Sequence, residues 1–418
     1  MNHFIVIWLA LVFGSVLLGS SLVGSLISER MLEPFSVALG LLGFATAAWG
    51  FGRITTIYEG LDAVGYALFF GAAAAAGGYA LASTLLAHIA LRPTLPLIPD
   101  TLPVASASPA IVLLSELEPV TYSARSTAAA LEDLADEGLL AASIWVLPFL
   151  FMAQKTRYRA AGGTSPGPGE LAAIAERLAL SLNSLGVMDV QTAACEGAES
   201  LGIRVVDAVR RGFRTIVVAQ AFVAESLEVD RAKREVDALR LSERGITVTY
   251  ADPLWGSARC ASLVTARALS VAGDPANCGI VLVGQAQPEE RSRVAGAFDH
   301  QETGFLNQIR MLLAERGIPE HQIHIAWADW RSPEVTASVR HLAAFGCRTV
   351  VVVPACFPLD SITTMLDLPL SVRQARVDQG VNVITLHAWH DDPGLVEALR
   401  SKVVSALEPL ETKIAAGS

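Results

Sequence analysis

The sequence predicts an α/β protein of two similar parallel-sheet halves, preceded by an all-α membrane region of about three transmembrane helices. Three observations predict this. The longest uncharged apolar runs lie at the front. Behind them, short β-branched runs alternate with helical stretches. Three blocks of residues recur there in the same order. The composition fits: 52% of the 418 residues are hydrophobic and 17% charged, whereas soluble domains carry about a quarter charged residues. The length calls for more than one domain. Apolar content this high excludes a disordered chain. A net charge of −10 argues against a nucleic-acid partner, whose phosphates call for basic patches.

Residues 2–28 carry no formal charge and exceed the roughly 20 residues that span a bilayer. They lack the basic start of a signal peptide. A second uncharged run covers 34–52. A third, 63–91, is rich in Ala and Gly, which suit close helix contact in lipid. Residues 1–92 therefore read as a multi-pass membrane region, and 93–108 as an extended Pro-rich linker. A fourth apolar run, 138–154, contains Pro148 and is marginal as a span. The basic Lys155, Arg157 and Arg159 behind it favour a cytoplasmic soluble part.

From residue 110 on, strand-like runs at 111–114, 216–218, 246–249, 280–283, 350–353 and 381–385 alternate with helices such as 170–185 and 395–407, the signature of βαβ units. The repeat is visible in the residues. Ile111–Leu114 with Pro119 matches Ile280–Val283 with Pro288 at the same internal spacing. Gly212–Val218 matches Gly346–Val352, and Gly245–Val248 matches Gly380–Val383. The first half, 109–270, is longer than the second, 271–410, by a stretch that contains the run 138–154; residues 411–418 form a tail. Parallel sheets of this kind take ligands at the carboxyl ends of their strands, so the cleft between the halves is the expected site. The five cysteines make no C-x-x-C pair and read as buried thiols.

Four stretches carry a resemblance to ferrochelatase, the enzyme that inserts ferrous iron into porphyrin. They are Tyr158-Arg159-Ala160-Ala161-Gly162-Gly163-Thr164-Ser165-Pro166; residues 279–288; residues 325–342; and Pro354-Ala355-Cys356-Phe357-Pro358-Leu359-Asp360-Ser361-Ile362-Thr363-Thr364-Met365. The resemblance covers about 109–410 and implies two Rossmann-like halves. It makes 138–154 similar to the family's hydrophobic lip, with Phe149 and Phe151. It implies a haem or porphyrin ligand contacted by Tyr158, Gly162, Gly163, Ser165, Glu116, Phe357 and Asp360, with iron as the metal. The family's catalytic histidine position holds Gln285 and its glutamate position Thr363. Metal insertion needs groups that take protons and hand over a metal, which imidazole and carboxylate do near neutral pH. Gln and Thr do not. No cysteine follows Cys356, so the iron–sulfur cluster of some relatives is not expected.

Other residues can serve as ligands. His387 and His390, with Asp391 and Asp392, follow the last strand and form the best alternative metal cluster; Asp391 or Asp392 as a helix N-cap is the plainer reading. Asp299, His300 and Glu302 form another candidate, against a solvated helix start. His321 and His324 read as surface histidines. Gly162, Gly163, Gly167 and Gly169 can cradle an anion or simply give a flexible loop. Glu289, Glu290 and Arg291 read as a helix opening. The expected function is a membrane-anchored tetrapyrrole binder without metal insertion. Two alternatives stay open: an active chelatase with a relocated metal site, and an assembly subunit meeting a membrane-protein partner through its helices.

Overall fold

The structure is a computed structural model and describes residues 2–29, 31–57, 61–86, 95–99, 101–106, 108–141, 143–187, 189–294, 296–390 and 392–416. The end of the third apolar run (87–91), the start of the linker (93–94), Asp391 and the last two residues lie outside them. Contacts divide the chain into two compact units: Met1–Arg92 with Thr121–Thr164, and Pro93–Val120 with Ser165–Ser418.

In the first unit, α1 (Asn2–Ile27), α2 (Glu33–Ile57) and α3 (Leu61–Leu86) are long and apolar enough to cross a membrane. Their outer faces expose Phe13, Phe35, Phe44 and Phe69, the surface that lipid requires. Their inner faces meet through glycine. A Cβ on Gly19 would lie 2.0 Å from the Ala75 carbonyl oxygen, so only glycine permits this approach of α1 to α3. The segment 121–164 contains α4 (Ala124–Asp136) and α5 (Leu147–Ala160) and packs with these helices. Its ends are joined by a Thr121–Thr164 bridge. The Tyr122 hydroxyl donates to the Ile27 carbonyl at 2.9 Å, and that of Tyr79 to the Trp145 carbonyl at 2.8 Å. Buried Lys155 donates to the Ser25 carbonyl at 3.0 Å and pairs with Glu33, which Arg159 also meets. The apolar run 138–154 is thus the approach to and first half of α5, with Pro148 in its first turn, where a missing N–H costs nothing.

The second unit has two four-stranded parallel sheets. The first runs β2 (Asp189–Ala194), β1 (Ala110–Ser115), β3 (Thr215–Gln220), β4 (Thr247–Tyr250). The second runs β6 (Ile323–Trp327), β5 (Cys278–Gly284), β7 (Thr349–Pro354), β8 (Asn382–Thr385). The order is the same, as the repeat requires. The connecting helices are α6 (Gly167–Leu182), α7 (Leu201–Arg210), α8 (Leu227–Asp237), α9 (Ala258–Ala272), α10 (Glu289–Val294), α11 (Ala297–Glu315), α12 (Val335–Phe345) and α13 (Leu368–Ala375), with α14 (Pro393–Ala416) last. Central strands alternate between cores: Ile111 and Leu113 face one cluster, Val112 and Leu114 the other. The first cluster is shared by both halves. Helix α9, which ends the first half, packs on β5 and β7, and α14 packs on α6 and β3. This exchange of final helices joins the halves into one body.

Candidate functional site

The loops after β7 and β8 lie side by side because those strands are neighbours. The β7 loop delivers Asp360 and the β8 loop His387 and His390. One ligand atom from each lies within 4.8 Å of the others, a group able to hold a metal ion. Asp360 is 3% exposed. Its Oδ1 accepts the Ala388 N–H at 2.9 Å and the Thr364 hydroxyl at 2.7 Å. That fixes Oδ2 toward His387 Nδ1 at 3.0 Å and His390 Nε2 at 3.6 Å. The imidazoles reach solvent, 69% and 37% exposed. An ion can therefore arrive at the histidines and meet a buried carboxylate behind them.

The first half positions this cluster. Glu170, in the first turn of α6, accepts the Asp360 N–H at 2.8 Å with one oxygen and contacts His390 Nδ1 at 2.9 Å with the other. Glu118 accepts the Ile362 N–H at 2.9 Å. Arg267 of α9 donates to the carbonyls of His387 and Ala388. Two imidazoles and a carboxylate suit iron, cobalt or zinc, and Glu170 holds His390 beside them.

A second group of acids lies at the ends of β1 and β5. Glu302, on α11 and 1% exposed, accepts the N–H of Gln285 at 2.6 Å and of Ala286 at 3.1 Å. Ala286 has φ 61°, a left-handed conformation that this carboxylate holds in place. Burial pushes the Glu302 carboxyl up to about 7, against the pull of those two amides. Glu116 reaches solvent, yet protein crowds it enough that desolvation, then Glu228, push it up to about 7. Desolvation and Glu302 push the Cys356 thiol well up. All five cysteines are buried and free.

Gln285 lies in the loop after β5 and half-exposed Thr363 opens a π-helical turn, Thr363–Asp367; neither joins the metal-capable cluster. Asp299, His300 and Glu302 do not form a cluster: Asp299 pairs with Arg331, His300 packs its ring on Trp255, and Glu302 serves the Gln285 loop. The His324 ring packs at a tilt against His341, and that of His321 against Phe345. Asp392 accepts the Gly394 N–H at 2.7 Å, a helix-start contact. Ser165 and Phe357 are buried in the second unit. Tyr158, Gly162, Gly163, Phe149 and Phe151 belong to the first unit. There Tyr158 packs edge-on to Tyr122, Phe151 is fully buried, and Phe149 lines an apolar cavity of about 580 Å³ with Leu18, Tyr79 and Trp145. Gly162 and Gly163, at φ 96° and 92°, turn the chain out of α5. Nothing in the sequence marks Glu170 as a partner of the cluster. Sequence alone sets Asp360 apart from the histidines, although the adjacency of the strands that bear them is the available signal.

No protein-family model matches the chain. A ferrochelatase from Thermosynechococcus vestitus is 28% identical over 105 residues, 24% of this chain and 27% of that protein. The match thus spans about a quarter of the curated relative. Among solved structures, SirB from Bacillus subtilis with Fe3+ aligns at TM-score 0.48 and 14% identity, over 73% of this chain and 98% of that one. The sirohydrochlorin chelatase SirB from Bacillus subtilis subspecies spizizenii, in complex with cobalt, aligns at TM-score 0.43 and 14% identity, over 73% and 97%.

Proposed function

We propose that this chain is a membrane-anchored, chelatase-like protein that binds a tetrapyrrole, haem or porphyrin, and handles a divalent transition metal as substrate. The convergence of Asp360, His387 and His390 carries this reading. It favours the relocated-site alternative over a binder stripped of its chemistry: the donors missing at Gln285 and Thr363 are present on the neighbouring loops. Asp360 supplies a fixed negative charge. The two imidazoles take the ion from solvent, and Glu170 orients His390 and the Asp360 backbone. Neutral imidazole is the ligand form.

The alternative, binding without insertion, rests on Gln285 and Thr363. In either case the three apolar helices would hold the protein in the bilayer as a multi-pass anchor, with Lys155, Arg157 and Arg159 favouring a cytoplasmic catalytic side. The test is a titration of the detergent-solubilised protein with porphyrin and with haem in the Soret band, followed by ferrous iron or zinc. Insertion above the protein-free rate that is lost in His387→Ala and His390→Ala supports the reading. Porphyrin binding with no insertion leaves the binder. No binding of porphyrin or haem sinks both.

A further inference from the structure

The repeat sets Ile111–Leu114 and Pro119 on Ile280–Val283 and Pro288. Strands β1 and β5 hold the same place in their sheets. Glu116 and Gln285 are therefore counterparts, one in each half. The second half carries an amide at this loop position, whereas the first carries a titratable carboxylate.

Glu116 is also the acid of its group best free to act. Glu302 spends both oxygens on the amides of Gln285 and Ala286. Glu228, on α8, is paired with Arg291 of α10. Glu116 receives a hydrogen bond from the Ser226 side chain and reaches solvent. The charged or titratable groups around it are Glu228, Glu302 and Arg291, with Cys195 behind it on the β2 side. Three carboxylates against Arg291, with Arg331 beside Glu302, leave an excess of negative charge that makes a proton welcome here. An acid that changes state near pH 7 is matched to proton transfer at that pH.

We propose that Glu116 accepts the protons that leave the pyrrole nitrogens of a bound tetrapyrrole as a metal ion enters. The assignment rests on the chelatase reading above. In each of two steps a pyrrole N–H bond breaks, its electron pair stays on nitrogen and passes to the metal, and an O–H bond forms on Glu116. Because Glu116 reaches solvent, it releases the first proton to water before the second leaves. Two protons depart for one divalent ion, and no oxidant or reductant is needed.

The test uses the full-length protein in detergent, protoporphyrin and Zn2+, from pH 5.5 to 8.5. In the wild type, insertion rises with pH through a midpoint near 7 as Glu116 becomes a base. Glu116→Gln binds porphyrin as the wild type does but inserts zinc about a hundredfold more slowly and without that midpoint. Glu116→Asp keeps the midpoint at a reduced rate. A Glu116→Gln variant with wild-type rate and pH profile overturns the assignment. If the wild type binds porphyrin but inserts nothing, the chelatase reading fails by itself, and the bound porphyrin's Soret band decides about Glu116. A pH-dependent shift near 7 that disappears in Glu116→Gln supports its contact with the pyrrole nitrogens; no such shift overturns it. Absence of porphyrin binding refutes both.

Discussion

Asp360→Asn separates metal binding from folding at the cluster. The amide is the shape of the carboxylate. Its oxygen keeps the Ala388 N–H and Thr364 hydroxyl bonds at 2.9 and 2.7 Å. Its NH2 then faces His387 Nδ1, which accepts in the other tautomer. Trading charge-assisted bonds for neutral ones costs about 1 kcal/mol of stability, part of which is returned because a buried charge disappears. Asp360→Ala strips the Ala388 N–H of its acceptor, at about 1–3 kcal/mol, while the Thr364 hydroxyl keeps the Ser361 carbonyl at 3.1 Å. For the metal the order reverses. Asp360→Asn removes the only anionic donor of the three-residue group. Losing even an outer-sphere partner weakens metal sites by about 10–100-fold, or about 1.4–2.7 kcal/mol, and loss of a direct ligand should do no less. The assay is calorimetric titration of Co2+ or Zn2+ into the full chain, with thermal unfolding as the stability control. Wild-type affinity in Asp360→Asn would refute the carboxylate's role. Wild-type affinity in His387→Ala and His390→Ala as well would refute the site.

Three further outcomes follow from other parts of the chain. Glu302 has a folded-state pKa of about 7 against 4.5 for a free carboxyl; its contribution to stability is thus complete below about pH 4.5 and is lost as pH rises through 7. Thermal unfolding of Glu302→Gln should therefore lose part of the wild type's decline between pH 5 and 8, while the variant sits lower overall because its NH2 opposes a backbone N–H; an unchanged pH slope would show that Glu302 does not titrate there. Gly19→Val should destabilise the helix unit by about 1–3 kcal/mol, since its Cβ meets Ala75 backbone at 2.0 Å, whereas Gly77→Val, with nothing within 4 Å, should not; equal detergent-unfolding midpoints would contradict this packing. Lys155→Met should free the 121–164 segment from Ser25 and Glu33, seen as faster tryptic cleavage at Arg125 or Arg157, and unchanged cleavage would argue against the clamp.

What the sequence exposes and what it hides follow from burial. The three apolar helices need only length and absence of charge to be seen. Strands β1, β3, β5 and β7 are legible because both faces are covered, which leaves runs such as Ile-Val-Leu-Leu and Val-Val-Val-Val. Strands β2 and β6 escape through their composition, since the other two edges, β4 and β8, are legible. Asp189–Ala194 is half-buried over its first four residues and carries Gln191 and Thr192, and Ile323–Trp327 carries His324, where a core strand would be aliphatic. His387 and His390 stand out by residue type at the end of the last strand.

Glu170 does not stand out. It lies 220 residues from His390, and only the exchange of final helices between the halves brings α6 under the β8 loop. The same logic runs the other way, where Gln301 of α11 accepts the Glu225 N–H of the first half's β3 loop at 2.9 Å. Each half thus has a loop pinned by a helix side chain of the other. A duplicated fold built this way can move its chemistry from one strand end to another without rebuilding its core. The loop positions are supported from across the molecule, whatever residue they carry. Measuring Co2+ affinity and porphyrin metallation in the same His387 and His390 variants tests whether this cluster carries both.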